Sequence, residues 1–212
     1  MSHHHHEQAG SGLRAMAASA TLHCLTGCAI GEIVGLLLGT ALGLANGWTV
    51  TLAVALAFLF GYTLSTLPLL RAGMGVRAAL GLVLAADTLS IATMEVVDNA
   101  VMALIPGAMD AGLVNPVFWV AMAVALAAAF AAAYPVNRVL LARGRGHALT
   151  HAHHGVAEPP TGARRLIPAL ATPTLAAAIA AFLLGGLLVS VAADDPVDTD
   201  DRGAHAVGGS ER

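Results

Sequence analysis

His23-Cys24-Leu25-Thr26-Gly27-Cys28-Ala29-Ile30-Gly31-Glu32 decides how this chain is read. It holds both cysteines and sets a carboxylate, Glu32, inside a long apolar run. Glycine recurs at every fourth position: Gly27, Gly31, Gly35, Gly39 and Gly43. At about 100° per residue a four-residue step turns a helix by only ~40°, so these glycines form one slowly winding ridge. Cys24, Cys28 and Glu32 form a second ridge beside it. A groove suited to a neighbouring helix therefore adjoins a line of thiols and a carboxylate.

The rest of the chain shares this apolar character. Of 212 residues, 57% are hydrophobic and only 11% charged, against roughly 25% charged in soluble domains. Mean hydropathy is +0.76. The apolar residues come in blocks long enough to cross a bilayer as helices, and strand-like alternation is absent, which argues against a β-barrel. The chain reads as an all-α, polytopic transmembrane helix bundle. The first block is too long for the core of a cleavable signal peptide. All ten basic residues are Arg, which with the abundant Ala points to a bacterial genome of high GC content.

Residues 1–17 read as a disordered tail, with His3 to His6 forming either a tag or a metal-sequestering tract. Spans are expected at about 18–44, 49–70, 78–104 and 117–137, making a four-span core over 18–145. Asn46-Gly47 makes the first turn, Trp48 is an interfacial anchor, and Pro106 to Pro116 is a loop. A polar segment at 146–165 carries His147, His151, His153 and His154, read as a solvated loop or a metal-loading tract. An added fifth span is expected at 166–192, followed by a disordered acidic tail at 193–212.

With five spans, Arg14, the Arg71/Arg77 turn and the Arg138–Arg165 segment fall on one side. The positive-inside rule then places the N-terminus in the cytoplasm and the C-terminus outside, in a bacterial inner membrane.

Four carboxylates lie within spans: Glu32 in the first, and Asp87, Glu95 and Asp98 in the third, with no Arg in any span interior. An ionised carboxylate at the bilayer centre costs about 2.5–3.5 kcal/mol on insertion scales, so four of them point to function. Eleven residues separate Asp87 from Asp98, a net turn of about 20°, so both share a face, with Ser90 and Glu95 on the same side and Thr88 and Asn99 along a second polar line. Packing the first and third spans through the glycine ridge, with their centres aligned, gives a ladder: His23, Cys24, Cys28 level with Asp87, Glu32, Glu95, Asp98.

Three readings of the ladder stand together. It is a cation path, in which thiol and imidazole suit copper or zinc and carboxylates suit harder ions. It is a proton relay. Or it is structural, a set of protonated carboxyls hydrogen-bonded within a membrane scaffold. Cys24 and Cys28 are correspondingly metal ligands, small packing residues or a redox pair. The glycine ridge serves helix packing, within one chain or between protomers of a homo-oligomer.

Other chemistries lack their motifs. There is no Gly-x-x-x-x-Gly-Lys, His-Glu-x-x-His or Gly-x-Ser-x-Gly sequence. Only His23 lies in a span, which argues against a bis-histidine haem, and the Arg residues border spans without interleaved aromatics, which argues against nucleic-acid binding. No enzymatic activity is indicated.

Several longer motifs carry a resemblance. They are Leu22 to Glu32, Phe60-Gly61-Tyr62, Ala85 to Ile91, Met94-Glu95-Val96-Val97-Asp98-Asn99, Ile105 to Asp110, and Tyr134-Pro135-Val136-Asn137-Arg138. Together they resemble the bacterial membrane family called domain of unknown function 4396, over about residues 18–150. The resemblance implies a compact four-helix membrane domain and supplies no activity. The fifth span and both tails lie outside it.

Overall fold

A computed structural model describes residues 3–143, 162–167 and 171–194. The described residues are helical, without a strand. In chain order the helices are α1 (His3–Ala41), α2 (Asn46–Arg71), α3 (Val76–Leu104), α4 (Pro116–Ala142) and α5 (Thr172–Asp194), with a short 3₁₀ turn at Gly162–Leu166 before α5. All five are long and apolar enough to cross a membrane. At 26, 29 and 27 residues, α2, α3 and α4 extend roughly 40 Å, longer than the ~30 Å hydrocarbon layer.

The boundaries differ from expectation for identifiable reasons. Residues 3–17, expected as a disordered tail, continue α1 back to His3, and the part apolar enough to span begins at Gly12. The helix stops at Ala41 rather than 44 because Gly43 adopts φ +64°. The Leu44 amide then reaches back 2.9 Å to the Gly39 carbonyl, closing the helix with a left-handed glycine. The same device ends α2: Gly73 has φ +99°, and Met74 N bonds Leu69 O at 3.0 Å. α4 starts where Asn115 accepts a 2.9 Å bond from Val117 N, with Pro116 at the first helical position. It runs through Pro135 to Ala142, beyond the expected end at 137.

The fifth span begins at Thr172, not 166. Pro173 then falls in the first turn, where its missing N–H leaves no bond unmade. Arg71 donates to the Ile167 carbonyl, and Thr172 Oγ1 lies 2.9 Å from Ser19 Oγ. These contacts bring the chain back to the end of the bundle that bears Arg14, Arg71 and Arg77, so α5 runs parallel to α1. The readings placed on the His3–His6 side chains, on His147, His151, His153 and His154, and on the acidic tail lie outside the described residues.

The glycine ridge decides the packing. A Cβ on Gly27 would strike the Gly61 backbone, one on Gly31 the Ala57 backbone, one on Gly35 Ala53, and one on Gly39 the Thr49 side chain. These partners descend α2 four residues at a time, so α1 and α2 lie antiparallel along a seam of backbone contact. From Gly27 to Gly39 the ridge packs on α2 rather than on α3, where the ladder sets it, and Gly43 has left it to form the turn. Gly61 is also pressed from its other side: a Cβ there would come 2.7 Å from Ile91 Cδ1 on α3. Gly27, Gly61 and Ile91 therefore stand at one level and set the register of three helices.

On α3 the buried positions Val83, Ala86, Asp87, Ser90, Ile91, Met94, Glu95, Asp98 and Met102 recur at helical spacing. Leu84, Leu89 and Val96 face outward. Polar groups inside and leucines outside are the arrangement a lipid solvent favours. α5 packs more lightly on α1 and α4. Gly186 sits against the Trp119 ring, which meets Phe182 edge-on at 5.3 Å.

Candidate functional site

The polar side chains of α1 and α3 meet in rungs along one seam. Cys24 is fully buried, 3.9 Å from Ser65 Oγ on α2, and lies beside Asp87 and Ser90 of α3. One turn further along, Cys28 lies beside Glu95. Beyond that, Glu32 faces Asp98, with Glu95 also close. All four carboxylates are at least nine-tenths buried. Among the described residues, both Oε atoms of Glu32, both of Glu95, and Oδ1 of Asp98 meet no donor in strict hydrogen-bond geometry, although Cys28 lies within hydrogen-bonding reach of Glu95 and Glu32 within reach of Asp98. Buried acceptors are rarely left this way.

The rungs are offset from the sequence-based ladder. Asp87 stands level with Cys24 rather than Cys28, because the Gly61 wedge places Ile91 opposite Gly27 instead of Glu32. The whole of α3 is thereby shifted about one helical turn relative to α1. The carboxylates and thiols still converge. His23 does not join them: it is buried, and its ring Nδ1 lies 2.9 Å from Ser19 O on its own helix. The second polar line also divides. Thr88 is exposed and shares a 2.8 Å hydrogen bond with the Tyr62 hydroxyl, whereas the Asn99 amide turns back 2.9 Å to the Glu95 carbonyl.

At the end of the bundle opposite the arginines, a cavity of about 100 Å³ descends to Glu32 and Asp98. That is room for several water molecules. Asn46, Thr49, Asn99, Met102, Met109 and Met122 are among its lining residues. At its mouth Asn46 Nδ2 donates to Asp110 Oδ1 at 3.0 Å, tying the α1–α2 turn to the α3–α4 loop. Pattern reading missed the methionines and this bond. It also missed Asn137 of α4, which is buried and donates 2.9 Å to Thr21 Oγ1. An isolated Asn in an apolar helix is the signal that could have identified it.

Among the described residues, no group of three or more His, Cys, Asp and Glu side chains is arranged to hold a metal ion. The rungs are pairs, which does not fit the four-coordinate shell of zinc. Cys24 and Cys28 are both free thiols.

The family described as a domain of unknown function (DUF4396) matches residues 14–146, which covers α1 from Arg14 through α4 and leaves α5 outside. No curated protein and no solved structure matches the chain.

Proposed function

Since the chain belongs to the DUF4396 family, whose description carries no activity, we propose from its site that it moves a small cation across the membrane along the α1–α3 seam. Glu32 and Asp98 carry the reading. Two carboxyls face each other in a cavity that opens at one end of the bundle, and among the described residues both Glu32 oxygens and Asp98 Oδ1 meet no donor in strict hydrogen-bond geometry. Unsatisfied acceptors at that depth suit a cation or a travelling proton. Glu95 with Cys28, and Asp87 with Cys24, extend the file toward the arginine end. By the positive-inside rule that end is cytoplasmic and the cavity faces outward.

The test is a current measurement on proteoliposomes containing the full chain. Jumps in proton, sodium or copper(I) concentration are applied to wild type and to Glu32→Gln. The expected result is a current for at least one cation that Glu32→Gln abolishes. Currents no larger than those of empty liposomes for every cation, or unchanged by Glu32→Gln, sink the reading.

One observation favours a scaffold instead: every rung ties α1 to α3, as structural glue would. A scaffold tolerates Glu32→Gln, and the same experiment separates the two.

A further inference from the structure

We propose that the outer cavity binds a soft monovalent metal ion of the copper(I) class, and that this ion is the cargo of the file; the inference rests on the cation reading above. Three methionines from three elements line one cavity: Met102 of α3, Met109 of the α3–α4 loop and Met122 of α4. Met102 and Met122 are buried, while Met109 is 39% exposed. Their thioethers share the cavity with the facing carboxyls of Glu32 and Asp98, of which both Glu32 oxygens and Asp98 Oδ1 are buried. Thioether and thiol sulfur select copper(I) over magnesium, calcium or manganese, which prefer carboxylate, carbonyl and water oxygens.

The same pairing repeats beyond the floor, since Cys28 stands beside Glu95 and Cys24 beside Asp87. Every level from the cavity inward thus offers sulfur with a carboxylate. Copper(I) is satisfied by two or three donors, whereas structural zinc takes four and calcium six or more. Beyond the cavity, the paired thiol and carboxyl rungs match that low coordination number. Transfer balances in charge. When copper(I) leaves the thioethers for Cys28 sulfur, it displaces the thiol proton, which passes to the Glu95 carboxylate. A copper–sulfur bond forms, a sulfur–hydrogen bond breaks, and copper remains copper(I). The cation, thiol and carboxylate sum to zero before the step, as do the copper thiolate and carboxylic acid after it.

The test is competition for copper(I), held reduced by ascorbate, between a chromogenic copper(I) chelator and the full chain in detergent. It is run in a Cys24→Ser/Cys28→Ser background, so that the cavity is read alone. Replacing Met102, Met109 and Met122 together by Leu keeps volume and removes sulfur. The expected result is at least a tenfold loss of copper(I) affinity relative to the parent. Met109→Leu alone, at the mouth where packing is loosest, is expected to lose at least threefold and serves if the triple variant does not fold. Equal affinity in a folded variant and its parent overturns the proposal. Liposome currents carried by protons and abolished by Glu32→Gln, without a copper(I) current, overturn it while leaving the cation reading in place. No current for any cation removes both.

Discussion

Glu32 of α1 and Asp98 of α3 face each other on the wall of one cavity, buried and within hydrogen-bonding reach of one another. Two such groups act as a unit, and their variants should not be additive. Glu32→Gln and Asp98→Asn each introduce an amide donor opposite the remaining carboxyl. Each single variant should therefore melt at or above the wild-type temperature in detergent. The double variant should fall short of the summed gains by about 0.5–3 kcal/mol. Thermal denaturation of the four proteins measures this, and a simple sum would show that the two carboxyls do not interact.

The α1–α2 seam predicts a sharp contrast among glycines. Gly31→Val forces a side chain into the Ala57 backbone. Overpacking of this kind costs typically ~1–3 kcal/mol, and backbone on the far side cannot yield as a side chain would. Gly81→Ala meets nothing within 4 Å and should be neutral or slightly stabilising, because Ala is the better helix former. Size-exclusion profiles and melting curves of both variants provide the check.

The Asn46–Asp110 bond spans two turns at the cavity mouth. An exposed hydrogen bond contributes only about 0.5–1.5 kcal/mol, so Asp110→Ala should leave the melting temperature nearly unchanged while loosening the mouth. With Leu36→Cys as a reporter on the cavity wall, a membrane-impermeant thiol reagent should label the Asp110→Ala chain faster than its parent. Equal rates would mean that the bond does not restrain the opening.

α5 should be separable from the rest. It lies outside the family match and touches α4 through Trp119, Phe182 and Gly186. Gly186→Leu would drive a side chain into the Trp119 ring and displace α5. The expected outcome is a shift in Trp119 fluorescence with the melting temperature of the four-helix core retained. Loss of the whole fold would show instead that α5 belongs to the core.

Much of this architecture was legible in the residues. The period-four glycines marked the packing face of α1, because only a helix whose side chains vanish admits another backbone, but not its partner, which is α2 and not α3. The carboxylate stripe of α3 was visible because acidic side chains stand out in an apolar run that holds no arginine. Register was not legible: it depends on Gly61 being squeezed between Gly27 and Ile91, a three-body contact that no single periodicity encodes. The methionine cavity escaped for a related reason. Met102, Met109 and Met122 belong to three elements, and each taken alone is an ordinary core residue. His23 was drawn into the ladder by its neighbour Cys24, although one residue along a helix turns the side chain through about 100°.

The glycine seam has a mechanical corollary. α1 and α2 are joined backbone to backbone, and α3 and α4 form the next most extensive pair. Two stiff halves result, and the buried carboxyls and thiols lie where α1 of one half meets α3 of the other. Sliding one half past the other would leave the α1–α2 seam whole, but it would have to lift Ile91 off Gly61 and would re-pair the carboxyls and thiols with new neighbours. The interface between the halves and the path proposed for a cation are then the same surface, locked at the level of Gly61 and Ile91, so traffic along that path and rocking of the halves would be one motion.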